Sequence, residues 1–252
     1  MKKTLISEMS WYEFRDAMSS NDLIIIPVGS IEEHGLHNPL GTDLIIARNA
    51  AKAIGERVNA PVAPAMPVGN ARNLIGFPGT ATIDVELLRE VMIGLCSDYI
   101  KHGAKKFLFI NGHGGNTATL KIVSADLYAK YGVISTNTEW WTILPKISKY
   151  KCNDHGGKFE TSMVMAVDEK LVNKEKAETV PRKNLSEELT FEDGLKFRGA
   201  SLPITVTLDK LTAVGNYGAK AEEADPQMGR DMFQIYVNFC AELAEELRKI
   251  PI

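Results

Sequence analysis

The sequence predicts an α/β protein: a mostly parallel sheet with helices packed on both faces. Three observations lead there. Short apolar, β-rich runs alternate with helical patterns along most of the chain, the order that generates parallel sheets. Several runs are continuously apolar, as strands covered on both faces are. And 252 residues with 44% apolar content suffice to bury one large core, so the expectation is one domain over residues 1–252.

The expected strands are LIIIPV (23–28), APVAPAMPV (60–68), KFLFIN (106–111), GVISTNTEWW (132–141) and LPITVTL (202–208). Between them the apolar spacing predicts helices in LIIARNAAKAIGERV after Asp43, from Asp84, from Thr117 and from Phe159. The second and third end in a lysine-containing turn followed by glycine, as helix C-termini do. The polar stretch 173–200 reads as an excursion over the surface near a pocket mouth. PQMGRDMFQIYVNFCAELAEELRKI, with an apolar residue every three or four positions, reads as a closing amphipathic helix.

Charge and cysteine content narrow the functions. A net charge of −3, from 29 basic and 32 acidic residues without long blocks, offers no footprint for nucleic acid or a membrane surface, so a small-molecule substrate is expected. Cys96, Cys152 and Cys240 form no C-x-x-C pair and are odd in number, which favours a reducing compartment. Ser7, Glu8 and Ser10 interrupt any signal-peptide core, and no later stretch reaches membrane-spanning length. A cytoplasmic protein is expected.

The five histidines are unevenly placed. His34, His37, His113 and His155 sit in glycine-flanked turns, whereas His102 reads as a helix-end residue. In SIEEHG the backbone is expected to be extended, so Glu32 and His34 share one face and Glu33 points to the other. Asp43 precedes a helical run and could cap it or turn inward as a ligand. FLFINGHGGN carries His113 at the end of a strand, where open α/β sheets bind ligands. A phosphate-cradling loop competes there, although the glycine spacing fits neither the P-loop nor the dinucleotide fingerprint. NDHGGKFETS adds His155 and Glu160, each of which could serve a local structural role. Together Glu32, His34, Asp43, His113, His155 and Glu160 make a nitrogen and oxygen donor set suited to zinc, manganese or iron(II). Such groups in one half-buried pocket repel or lose hydration unless a cation compensates.

VGSIEEHGLHNPLGTD, GFPGT, NGHGGN and HGGKFETS, in this order over most of residues 20–170, resemble the motifs of the creatininase (creatinine amidohydrolase) family. The resemblance implies a three-layer α/β/α fold and two divalent metal ions per chain at the carboxyl edge of the sheet. It implies Glu32, His34, Asp43 and His113 as metal ligands, with Asp43 bridging both ions, and His155 beside the substrate. It also implies a homohexamer. One position departs: creatininase proper has a glutamate two residues after the histidine of NGHGGN, and here that residue is Gly115. Glu160 is the expected replacement ligand, and His155 and Glu160 are the expected catalytic residues.

The activity so implied is metal-dependent hydrolysis of a C–N bond in a small cyclic amide, water activated at the ions attacking the carbonyl. The Gly115 departure argues against creatinine itself. Two alternatives stay open: hydrolytic C–C cleavage of a cyclic polyhydroxy ketone of the keto-inositol type, and a non-enzymatic phosphate- or nucleotide-binding module built on the glycine-rich turn. Trp140 and Trp141 either line the pocket or simply end a strand.

Overall fold

The computed structural model describes residues 3–192, 194–202 and 205–252. The central sheet is three parallel strands in chain order: β1 (Leu23–Val28), β2 (Lys106–Asn111) and β3 (Ile134–Glu139). The register pairs Val28 with Asn111 and Asn111 with Glu139, so all three carboxyl ends meet at one edge.

Side chains that alternate along β1 and β2 supply two separate cores. Leu23, Ile25, Leu108 and Ile110 pack on one face against α2 (Thr42–Val58), α5 (Trp140–Ile147), α6 (Lys158–Val167) and α7 (Pro226–Lys249). Ile24, Ile26, Phe107 and Phe109 pack on the other against α3 (Val85–Lys101) and α4 (Thr117–Tyr131), with Met18 at the end of α1 (Trp11–Met18). This is the expected three-layer arrangement.

The expected strand at 60–68 exists only as isolated parallel bridges of Val62 and Met66 beside β1. Pro61, Pro64 and Pro67 lack the N–H a continuous ladder needs. Pro27 is tolerated within β1 because its missing donor would fall on this interrupted side, where its carbonyl still accepts Met66 N–H at 2.9 Å. The fourth expected strand, 132–141, stops at Glu139, and Trp140 and Trp141 open α5 instead. Within the expected strand 202–208, residues 203 and 204 lie outside the described residues; Leu208 begins a 3-10 turn.

Two elements escaped the apolar pattern. The helix α1 is announced by a capping box, Ser10 Oγ accepting from Glu13 N–H and the Glu13 carboxylate accepting from Ser10 N–H. The excursion at 173–200 contains a small antiparallel sheet of β4 (Leu189–Glu192), β5 (Gly194–Phe197) and β6 (Ala200–Ser201). Its Phe191, with Leu185, packs on the cluster of Leu74, Leu208 and Leu211 and on Tyr217, which brings the excursion to the carboxyl edge of the main sheet. Among the described residues no helix is long and apolar enough to cross a membrane.

Candidate metal centre

Each of the six singled-out side chains is delivered to this edge by the end of an element. Beyond β1 the chain folds back, Glu32 N–H donating to Leu40 O at 2.9 Å, which returns it to the start of α2 and sets Asp43 in the first helical turn. Beyond β2, Asn111 Oδ1 accepts His113 N–H at 3.1 Å and turns the imidazole back over the strand ends. His155 is held by a pair of backbone hydrogen bonds with Tyr217, and Glu160 lies in the first turn of α6, accepting Gly156 N–H at 2.6 Å. Glu32, His34, Asp43, His113 and Glu160 are all buried, and His155 is partly so.

The carboxylates and imidazoles form two groups that share one residue. Glu32, Asp43 and His113 can present ligand atoms within 4.8 Å of one another, and so can His34, Asp43 and Glu160. Asp43 Oδ1 lies 3.1 Å from His34 Nε2, while Asp43 Oδ2 lies 3.2 Å from His113 Nδ1. Glu32 Oε2 is 2.9 Å from His113 Nδ1, and Glu160 Oε2 is 3.5 Å from His34 Nε2. His155 enters a further grouping with Glu32 and His34.

The hydrogen bonds on the far side of each imidazole test whether this set fits a cation. His113 Nε2 lies 2.8 Å from Asn70 O and His34 Nδ1 lies 3.1 Å from Glu32 O, and a carbonyl can only accept. In the neutral rings these nitrogens therefore carry the proton, and bare lone pairs on His113 Nδ1 and His34 Nε2 face carboxylate oxygens. Lone pair against lone pair is repulsive unless a cation or an extra proton sits between them. Glu32 Oε2 and Asp43 Oδ2 are moreover buried with no hydrogen bond of acceptable geometry. Ring nitrogens anchored by carbonyls and orphaned carboxylate oxygens fit divalent cations of the zinc or manganese type.

Without an ion, protons take that role. Burial disfavours the His34 imidazolium, but the Glu160 and Asp43 carboxylates outweigh it and hold its pKa well above the usual value. His113 behaves alike, burial being overcome by Glu32 and Asp43. Burial pushes Asp43 up, yet the two imidazoles bring it below its ordinary range. The stabilisation from the raised histidines is complete below their unfolded pKa of about 6.5 and lost as pH rises through their folded values. That from Asp43 is present above about pH 3.9 and lost as pH falls through its lowered value. Chelator-stripped protein is therefore expected to melt at lower temperature at about pH 9 than at about pH 6. Ion binding, which needs the same nitrogens deprotonated, strengthens in that direction. Thermal melts across this range check both trends, and a stripped protein that gains stability on the alkaline side refutes the ionic pairing.

The family model for creatininase, described as creatinine amidohydrolase, matches residues 7–244. The chain belongs to the creatininase family. Creatinine amidohydrolase of Pseudomonas putida is 27% identical over 199 residues, 68% of this chain and 75% of that protein. A 3-dehydro-scyllo-inosose hydrolase of Thermotoga maritima is 28% identical over 160 residues, 63% of this chain and 51% of its own length. A mycofactocin precursor peptide peptidase of Mycolicibacterium smegmatis is 36% identical over 115 residues, covering 42% of this chain and 45% of that protein. A crystal structure of creatininase shares the fold with TM-score 0.81 at 21% identity, all of both chains being covered. A creatininase described with manganese does so with TM-score 0.78 at 22% identity, over 97% of this chain and 98% of the other.

As a creatininase-family hydrolase the chain has its distinguishing features around a cavity of about 400 Å³ at the carboxyl edge. Glu32, Asp43, His113, His155 and Glu160 line it, and so does Gly115. Trp140 and Trp141 also line it, meeting edge to face at 5.7 Å, so neither is a plain strand-end residue.

Sequence reasoning missed Asn70, whose main-chain oxygen anchors His113 and which no motif marks. It also missed Tyr217, whose ring stacks on His155 at 5.4 Å. Asp154 is a third: burial, then the Glu160 charge, raise its carboxyl to about 7. His37 takes no part in the cluster, its Nε2 lying 3.0 Å from Thr161 Oγ1, and His102 caps the end of α3.

Proposed function

We propose that this chain is a divalent-metal-dependent amidohydrolase that cleaves a C–N bond, other than a peptide bond, in a small cyclic amide. Two ions per chain, zinc with manganese or iron(II) as the other candidates, would be held by Glu32, His34, Asp43, His113 and Glu160, with Asp43 spanning both. One observation carries this reading: two imidazoles, each with one nitrogen committed to a main-chain carbonyl, turn the other toward opposite oxygens of a single carboxylate. When bound, divalent ions supply Lewis acidity that acidifies water and polarises a carbonyl.

The protein's own residues do the remainder. Trp140 and Trp141 wall the cavity with apolar surface, which thins the water around the reacting bond and strengthens every electrostatic contact there. His155, on the same wall, is placed to stabilise the developing oxyanion or to protonate the leaving nitrogen, and Glu160 stands 3.9 Å from its Nδ1. The same reading takes residues 1–252 as one domain of a cytoplasmic homo-oligomer, a hexamer by family resemblance.

A second reading keeps the centre and changes the bond to C–C in a cyclic polyhydroxy ketone. The match to the inosose hydrolase and the small residue at Gly115 favour it. Elemental analysis of the purified protein and an assay panel of lactams, formamides and cyclic ketones test both. Two ions per chain and amide turnover that chelation abolishes and zinc or manganese restores are expected. Turnover confined to cyclic ketones would transfer the conclusion to the second reading, and turnover indifferent to chelation would end both.

A further inference from the structure

The pair of acidic residues in SIEEHG divides its work, and Glu33 is the half that the metal centre does not use. Extended backbone sends Glu33 away from Glu32, and it is nonetheless buried. A buried carboxylate beside a cluster already rich in negative charge costs free energy unless both its oxygens are met. Here they are. Glu33 Oε1 lies 3.0 Å from His155 Nε2, and Glu33 Oε2 accepts Gly35 N–H at 3.1 Å. The backbone of the same residue is fixed by Glu33 N–H donating to Thr80 Oγ1 at 3.2 Å.

The surroundings leave the pair no slack. The His155 ring stacks on Tyr217, centroids 5.4 Å apart, and meets His34 at a tilt, 4.4 Å apart, so swinging away from Glu33 would disturb both contacts. Gly215, at φ +88°, backs onto the carboxylate so closely that a Cβ there would overlap Glu33 Oε2. A carboxylate facing a ring nitrogen fixes which nitrogen keeps its proton and how the ring is aimed, as oriented histidines in hydrolytic sites require. With Nε2 so engaged, the remaining nitrogen, Nδ1, makes no hydrogen bond among the described residues and lies on the cavity wall, 3.9 Å from Glu160 Oε2.

We propose that Glu33 is a positioning residue that keeps a proton on His155 Nε2 and thereby commits Nδ1 to the substrate. The proposal rests on the hydrolase reading for its consequence: Nδ1, bare in that tautomer, is the atom that takes a proton from the attacking water and then passes it to the leaving nitrogen. It rests on geometry alone for its cause. Glu33 touches neither substrate nor ion, so its removal lowers turnover through His155 and leaves the ion content intact.

The test has one arm that needs no substrate. Zinc-loaded protein labelled with ¹⁵N in its five histidines gives few enough ring signals for His155→Ala to identify the one that matters. In the wild type that ring is expected to carry its proton on Nε2. Glu33→Gln, whose amide oxygen still accepts, should preserve this state, and Glu33→Ala should replace it by exchange between the two ring nitrogens. In the kinetic arm, on the panel member the wild type hydrolyses, Glu33→Ala is expected to lower kcat about 10–100-fold. KM should stay within about threefold and zinc content should not change, with Glu33→Gln recovering most of kcat. A wild-type His155 protonated on Nδ1 alone, or a Glu33→Ala spectrum identical to the wild type, overturns the proposal. Equal kcat in Glu33→Ala and wild type does so too. If no panel member is hydrolysed, the hydrolase reading fails while the spectra still decide the role of Glu33, and they do so from the wild type alone should Glu33→Ala not fold.

Discussion

Asp43→Asn is expected to release both ions at once, while Glu160→Gln and Glu32→Gln each weaken one. The two groups of donors, Glu32 with His113 and His34 with Glu160, are joined through Asp43. Removing its charge therefore strips a ligand from each. Asparagine keeps the volume of aspartate, and on the alkaline side, where the metal-free imidazoles have given up their extra protons, its Nδ2–H can donate to the bared nitrogen, so the metal-free fold there should lose less than about 1.5 kcal/mol. Turnover should nevertheless fall by about a thousandfold or more, since Lewis-acid stabilisation of a transition state amounts to several kcal/mol. Elemental analysis decides the matter. Near-zero metal in Asp43→Asn against one ion in Glu160→Gln is the signature of a shared carboxylate, and one ion retained in Asp43→Asn would reduce Asp43 to an ordinary ligand.

How far such a site can be read before folding depends on which interactions are local. Glu32 and His34 share a face because extended backbone repeats every two residues, and Glu33 departs from them for the same reason. That alternation was legible. So were β1 and β2, whose six positions are all buried. Trp140 and Trp141 were misplaced onto a strand because aromatic residues suit strands, whereas packing of Trp140 and Leu144 on the core selected a helix. The run at 60–68 was apolar enough, but its prolines restrict it to isolated bridges. Asn70 could not have been found at all, because its role is played by a main-chain oxygen, which every residue type possesses. Tyr217 lies 62 positions beyond His155 in a segment with no periodicity of its own, and only tertiary pairing brings them together.

Gly115 carries the other large expected effect, because the resemblance to creatininase implies a glutamate at that position and this chain has glycine. A Cβ built on Gly115 would overlap the Asn70 carbonyl oxygen and His113 Nε2, the two atoms whose 2.8 Å hydrogen bond fixes the His113 ring. Glycine is thus required by a close approach of backbone to ring. Gly115→Ala, which adds neither charge nor ligand, is expected to lower zinc affinity about 10–100-fold by displacing that outer partner. Overpacking should cost roughly 1–3 kcal/mol in stability as well. Gly115→Glu meets the same obstruction before its carboxylate can reach an ion, so restoring the glutamate of creatininase should not rescue binding. Glu160, 3.5 Å from His34 Nε2, already offers the group of His34 and Asp43 a carboxylate oxygen. Isothermal titration with zinc separates the possibilities. Affinity lost in both Gly115 variants and in Glu160→Gln supports a centre rebuilt around Glu160. Affinity gained in Gly115→Glu would show that the Asn70 loop yields, and that the carboxylate contributed by α6 is dispensable.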